Sequence, residues 1–455
     1  MTNQAERSSP QPPPAWIQSA ANWLTPRRIR AHAIVLAVCL WGVCAVDYTT
    51  PGLFDRAGNI KFQDFMPSYI SAQLIAQDRT SELYNQQSTT DAMQAVIHHS
   101  DLHPNGNHAP TRVRLPNLYG PQVGLFFVPL ARLSFPVAAR IWVMAGLLLY
   151  FACVYLVWKS CPALRSHCGM VTLCAIAFPP LFHVFVRAQM SALVLACFTA
   201  AFLAFRADRN WLAGIALGFL IFKPQFLLAI PLVLVLSGAW KALAGLIVAA
   251  GAQLAFARVY FGPAVMQAYF DTLRHLSGVI SAAELSLAPI QMHSLRSFWT
   301  LLIAFPPASL PQLALALYVL SSLVVVAMAT ALWKSSSPLV LRFSALTLTA
   351  VLVNPHLFVY DLLVLAPVLL LLADWAVNNP QDPSRPVLHI LLYLAFVLPL
   401  FGPLSRWTHV QLSVPVLALL LWLLWRHSTG SARTQPATSS ATPSHKLASN
   451  ESAVV

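Results

Sequence analysis

The strongest constraint on this chain is a succession of apolar runs, most of them close to bilayer-crossing length and many bounded by a cation, a proline or a tryptophan. About 20 apolar residues in helical form cross the hydrocarbon core, where each helix satisfies its own backbone polar groups. The chain is 57% hydrophobic and 9% charged, with a mean hydropathy of +0.64. A soluble domain carries about a quarter charged residues. The pattern therefore predicts an all-α, polytopic membrane protein of about twelve transmembrane helices.

Residues 1–26 are rich in Pro, Ser, Gln and Ala and read as a disordered tail. Arg27, Arg28 and Arg30 then precede the first apolar run, 31–46, with no small-residue cleavage site after it. This predicts a retained first span with a cytoplasmic N-terminus. A polar segment of residues 48–118 follows and is expected on the exported side. Within it, 67–76 and 88–98 show helical spacing, whereas 103–116 is turn-rich.

The run 121–133 is too short to cross and predicts a re-entrant or interfacial segment. Further spans are expected at 136–158, 169–186, 189–205, 211–222, 224–236, 242–261, 310–333, 338–353, 356–373, 386–401 and 410–425. A second exported loop is read at 262–297. The membrane domain then covers 27–427, and a Ser/Thr/Ala-rich cytoplasmic tail covers 428–455. The tryptophans near span ends, such as Trp158, Trp211, Trp240 and Trp425, fit an interfacial belt.

The formal charge of +13 does not mark a nucleic-acid binder, because the cations stand singly and at span ends. The seven cysteines are an odd number without a CxxC pair, which argues against a disulfide framework or a zinc site and for buried apolar residues. His98, His99, Asp101, His103 and His108 fit no standard metal spacing, so no metal is expected.

With this topology, the ionic and amide side chains away from cytoplasmic ends fall on one side. Asp64, Arg112, Arg114 and Tyr119 lie in the first exported loop or at its exit; Arg187 with Gln189, and Lys223 with Gln225, form two outer tips. His293 and Arg296 end the second loop, and Asn354, His356 and Asp361 form another tip. No acid or base stands near the middle of a proposed span, as the cost of burying charge in lipid demands. That pattern suits an enzyme working at the exported interface better than a proton-coupled transporter. Several residues also have plainer readings. Asp64 is either a base or an acid at a helix start, with Asp55 in reserve. Lys223, beside Pro224, is either an anion ligand or a lysine reaching out of a helix end to water. Arg296 is either an anion ligand or a partner of Glu284 or lipid.

Asp64-Phe65 with Tyr69, then Leu83-Tyr84, is the first of five motifs in order, and it is similar to the first-loop pattern of glycosyltransferase family 87. Tyr119-Gly120-Pro121 with Val128-Pro129-Leu130 is similar to its Tyr-Pro-Pro segment. Gln189-Met190-Ser191, Leu212-Ala213-Gly214 and Lys223-Pro224-Gln225 resemble its Gly-Gln, Leu-Ala-Gly and Lys-Pro-Gln block. His293-Ser294-Leu295-Arg296 resembles its Asn-Gln-Ser-Leu-Arg element, and Asn354-Pro355-His356 with Tyr360-Asp361 its Ser-Pro-His and Tyr-Asp element. Ala188, Ser191 and His293 stand where the family usually has glycine, asparagine and glutamine.

The resemblance implies a GT-C-like fold and a hexosyltransferase of the inner membrane that uses a polyprenyl-phosphate sugar; several members transfer mannose. It implies an acceptor on a glycan or lipid of the cell envelope. A departing phosphate needs no general acid, but its growing charge needs cations, here Lys223, Arg296, Arg187, Arg112 and Arg114. A hydroxyl acceptor needs a base, for which Asp64 is the candidate, and one base in a direct displacement means inversion. Tyr69, Tyr119, Gln189, Gln225, His293, Asn354 and His356 are candidate sugar or acceptor contacts. No cofactor is expected. The alternative is a transporter or flippase of lipid-linked glycans.

Overall fold

The computed structural model describes residues 13–56, 58–100, 115–275, 290–304 and 310–434. Every regular element among them is a helix; the only strand-like contacts are two isolated bridges, Phe54 with Ile60 and Met292 with Phe358. The first long helix, Pro26–Tyr48, opens on Thr25, whose hydroxyl accepts the Arg28 amide at 3.3 Å, with Pro26 at the first helical position. Met66–Ala76 and Gln86–Ser100 are the two helices expected in the polar segment after it. The turn-rich stretch 103–116 lies almost wholly outside the described residues, as do Arg112 and Arg114.

Among the described residues, six helices are long and apolar enough to cross a membrane: Pro26–Tyr48, Phe135–Trp158, Trp240–Arg274, Pro311–Lys334, Val359–Asn378 and Arg385–Thr408. A seventh span arises if Pro162–Ile176 and Pro179–Arg187, bent by 48°, act as one. The chain is thus an integral membrane protein. Four other apolar helices, Ser191–Arg206, Asn210–Phe222, Pro224–Ser237 and Leu339–Val353, hold 10–17 residues each. Prolines explain several interruptions: Pro179-Pro180 and Pro224 each remove amide donors and start a new helical segment. The segment 121–133 is a seven-residue helix continued by a 3-10 turn, Val128–Arg132.

The second polar loop differs from its expected 262–297. The helix from Trp240 leaves helical geometry at Gly262, where φ is 82° and ψ 170°, and a second helical segment then runs to Arg274, while 276–289 lies outside the described residues. Gly262 followed by Pro263 thus breaks the helix and restarts it across a kink. The cysteines are free, and burial holds only for Cys44, Cys153 and Cys161; Cys39 and Cys168 are exposed.

Two apolar cores form. The larger packs Phe198, Phe202, Phe226 and Phe343 with leucines of the 339–353, 365–378 and 413–434 helices. The smaller packs Phe65, Tyr69, Phe127, Phe135 and Trp142, and ties the segment after the first span onto the membrane helices. Phe62, Phe65, Ala188 and Met190 belong to the smaller core, whereas Leu220, Phe226, Tyr360 and Leu362 belong to the larger. The polar residues between these positions therefore meet where the two cores adjoin.

The 210–218 and 240–274 helices approach backbone to backbone. A Cβ on Gly214 would overlap the Ala242 carbonyl, and one on Gly245 the Trp211 carbonyl. Gly214→Ala should therefore destabilise the protein by about 1–3 kcal/mol, as overpacking does. Gly251→Ala, on the same long helix with open space around it, should leave the melting temperature unchanged or raised. Thermal unfolding of both variants in one detergent checks the pair.

Candidate active site

Asp64 sits in a 3-10 turn, Gln63–Phe65, directly before the 66–76 helix. Its neighbours hold the turn from both sides. Phe62 adopts a left-handed φ of 59°, packs edge-on against Tyr48, and donates its amide to the Val186 carbonyl at 3.4 Å. Phe65 is buried among Phe127, Phe135 and Trp142. With two aromatic anchors one and two residues away, the Asp64 backbone has little freedom.

The next contributor is the tip between the 179–187 and 191–206 helices. Ala188 there takes φ 56°, a conformation that glycine adopts more readily, and its carbonyl accepts from Trp142 Nε1 at 3.0 Å. This left-handed residue turns the chain so that Arg187 and Gln189 both face Asp64. Nε2 of Gln189 donates to Oδ2 of Asp64 at 2.9 Å, and Nη1 of Arg187 lies 3.6 Å from Oδ1. The Arg187 side chain is 35% exposed and that of Asp64 15%, so the pair is open to solvent on one side.

Oε1 of Gln189 faces three donors: the Met190 amide at 3.1 Å, the Tyr119 hydroxyl at 3.4 Å and the Lys223 ammonium at 3.5 Å. Tyr119 is held in turn by Tyr84, whose hydroxyl donates to the Tyr119 carbonyl at 2.7 Å. Burial raises the Tyr119 phenol above its usual range, so it stays a neutral donor.

Lys223 lies between two short 3-10 turns and points inward. It is 3% exposed, and its ammonium donates to Oδ1 of Asp361 at 2.6 Å. The reading of a lysine reaching out to water is thus overturned: the break before Pro224 faces the bundle interior, where a carboxylate waits. Ser191 donates to the same Oδ1 at 2.7 Å, and the ammonium lies 5.3 Å from the centre of the Tyr360 ring. Asp361 is 2% exposed and stands third in the Val359–Asn378 span.

The remaining candidates divide. His293 and the 354–358 segment pair: the His293 amide donates to the Leu357 carbonyl at 2.8 Å, and Met292 bridges Phe358. The His293 ring is buried, with Nδ1 2.7 Å from the Ser413 hydroxyl, and burial with His183 nearby pushes its imidazole down to about 3. Asn354 is buried and caps its own turn, with Oδ1 accepting the His356 amide at 2.9 Å, while its Nδ2 has no partner. Burial lowers the His356 imidazole, Lys223 and Arg296 push the same way and Asp361 opposes, so His356 lies within electrostatic reach of all three. Arg296 is exposed, in the first turn of Leu295–Ala304; Glu284, its expected alternative partner, is outside the described residues.

Two candidates stand apart. The Tyr69 hydroxyl donates to the Leu133 carbonyl at 2.6 Å and its ring packs edge-on against Phe135, which makes it a packing residue of the smaller core. Gln225 is half-buried beside Lys223 and makes no hydrogen bond to the cluster. Ser191, Tyr360 and Asp361 were not among the assigned site residues. The signal that could have found Asp361 is that an acid inside an apolar span needs a partner. Among the described residues no three metal-ligating side chains converge.

A family model described as glycosyltransferase family 87 matches residues 117–355. That stretch is more than half of the chain and contains Tyr119, Arg187, Gln189, Lys223, His293, Arg296 and Asn354. No curated protein and no solved structure matches.

The buried His293 makes stability depend on pH. Its imidazole titrates near 3 when folded and near 6.5 when unfolded, so below pH 6.5 the unfolded chain takes up a proton that the folded chain refuses. Stability from this group is complete above pH 6.5 and falls by up to roughly 1.4 kcal/mol per pH unit as pH drops toward 3. Melting temperatures between pH 7 and about 4.5 should fall less steeply for His293→Gln than for the parent.

Proposed function

Because the chain belongs to glycosyltransferase family 87, and is therefore a membrane glycosyltransferase, we propose that it moves a hexose from a polyprenyl-phosphate donor to an acceptor hydroxyl, with Asp64 as general base. The observation that carries this reading is the environment of Asp64. One carboxylate oxygen is held by Gln189, the other faces Arg187, and the residue is partly open to solvent. A base needs that combination of fixed orientation and access to the proton it removes.

In the proposed reaction the acceptor oxygen attacks the anomeric carbon as the bond from that carbon to the phosphate oxygen breaks. The acceptor proton passes to Asp64, and the electron pair leaves with the lipid phosphate. Arg187, half-buried, and Arg296, exposed, are the groups we give the task of stabilising that phosphate. Gln189, Tyr119, His293, Asn354 and His356 are the residues we assign to sugar or acceptor contacts. A single displacement inverts the anomeric centre.

We extend the reading to a GT-C-like membrane domain at 27–427, both termini cytoplasmic, with the site on the exported face of the inner membrane. The arginines at 27, 28 and 30, at the start of the first span, favour that orientation. The four shorter apolar helices, the bent pair and the 413–434 helix, taken with the six long ones, would bring the spans to twelve.

Asp64→Asn should lower the turnover number by about 10²–10⁴-fold in purified protein while leaving the melting temperature within a few degrees. Unchanged turnover removes Asp64 from the chemistry. Movement of labelled lipid-linked glycan across proteoliposomes, with no new glycosidic bond, would favour the transporter reading instead.

A further inference from the structure

Lys223 and Asp361 lie beside the proposed base, yet the displacement written above gives them no task. Their geometry argues against phosphate binding by Lys223. The ammonium is 3% exposed, and its strongest acceptor, 2.6 Å away, is already a carboxylate. An ammonium that is buried and already bonded to a carboxylate offers little attraction to an arriving anion.

The same geometry does something else. A glutamine amide has two orientations, exchanged by a half-turn of its terminal group. At Gln189 the nitrogen faces the Asp64 carboxylate at 2.9 Å, and the oxygen faces Lys223 at 3.5 Å, Tyr119 at 3.4 Å and the Met190 amide at 3.1 Å. Turned over, the amide oxygen would meet the carboxylate and the amide hydrogens would meet the ammonium. The Met190 amide and the positive charge at position 223, neither of which can accept a hydrogen bond, together select the orientation that binds Asp64. An ammonium keeps its charge inside an apolar bundle only with a counter-charge, and Asp361 supplies it, steadied by the Ser191 hydroxyl.

We propose that Lys223 and Asp361 are positioning residues for the base: Asp361 holds the Lys223 ammonium against Gln189, and Gln189 in turn holds Asp64. This rests on the reading of Asp64 as base. It separates the cations of the site into two kinds, with Arg187 and Arg296 open to solvent and Lys223 buried against protein groups.

The test uses the purified full-length chain in lipid nanodiscs, with polyprenyl-phosphate mannose as donor, an envelope lipid extract as acceptor and farnesyl phosphate as competing phosphate. Lys223→Met and Asp361→Asn should each lower the turnover number by about 30-fold or more, while the farnesyl phosphate inhibition constant stays within about 3-fold of the parent. In a Gln189→Leu background, adding Asp361→Asn should cost less than about 3-fold more, because the link is already cut. The combined variant Lys223→Met with Asp361→Leu replaces the ion pair by apolar side chains and should fold with a parental melting temperature while staying as slow as the single variants.

An inhibition constant raised about 10-fold or more with turnover preserved would make Lys223 a phosphate ligand and overturn the inference. Recovery of turnover in the apolar pair would reduce the two residues to packing, and also overturn it. Asp64→Asn measured in parallel keeps the two ideas apart. Its full activity would remove the base and this inference together, whereas the Lys223 results bear on the inference alone.

Discussion

A carboxylate and an ammonium buried 2.6 Å apart in an apolar bundle are the interaction on which the rest of this site depends. Neither charge is tolerable there alone, since the cost of leaving water is recovered only through the other and through added hydrogen bonds. The pair therefore fixes two chain breaks against each other: the turn before Pro224 and the turn that opens the 359–378 helix. Ser191, bonded to the same carboxylate oxygen, brings in the start of a third helix. The tip that carries Arg187 and Gln189 immediately precedes that serine, so its place follows from the pair as well.

The site also marks the seam between two apolar cores. One belongs to the helices of the membrane bundle, and the other holds the segment after the first span by stacking Phe65 among Phe127, Phe135 and Trp142. Asp64 is carried by the second and Lys223 with Asp361 by the first, with Gln189 between them. A polar network at such a seam is satisfied group by group rather than by bulk water, which gives it the rigidity that a fixed base requires. The left-handed Ala188 is part of the same economy: a strained residue is held because Trp142 bonds its carbonyl and the tip is packed.

Much of this was legible in the sequence, and the limits have physical causes. Apolar length and sparse charge gave the membrane class, and the helices at 66–76 and 86–100 followed from spacing. Hydropathy overlooks breaks, however. It reads 169–186 as one span where Pro179-Pro180 bends the chain, and it reads 262–274 as loop where a second helical segment follows the break at Gly262. Motif order brought Asp64, Arg187, Gln189 and Lys223 into one list, and the fold brings them into one cluster. Direction was the harder matter. A lysine before a proline reads equally as facing out or in, and only the acid 138 positions later decides it. Tyr69 stands five positions from Asp64, about 1.4 helical turns, so its ring and hydroxyl fall on another face, the packing side.

The central claim is a single displacement assisted by one carboxylate at the edge of this network. Its most direct measurement is the anomeric configuration of the product, determined by NMR on material made with an isotopically labelled donor of known configuration. The account predicts that the new glycosidic bond has the configuration opposite to the donor. A product that retains the donor configuration would require a second nucleophile and would contradict the account.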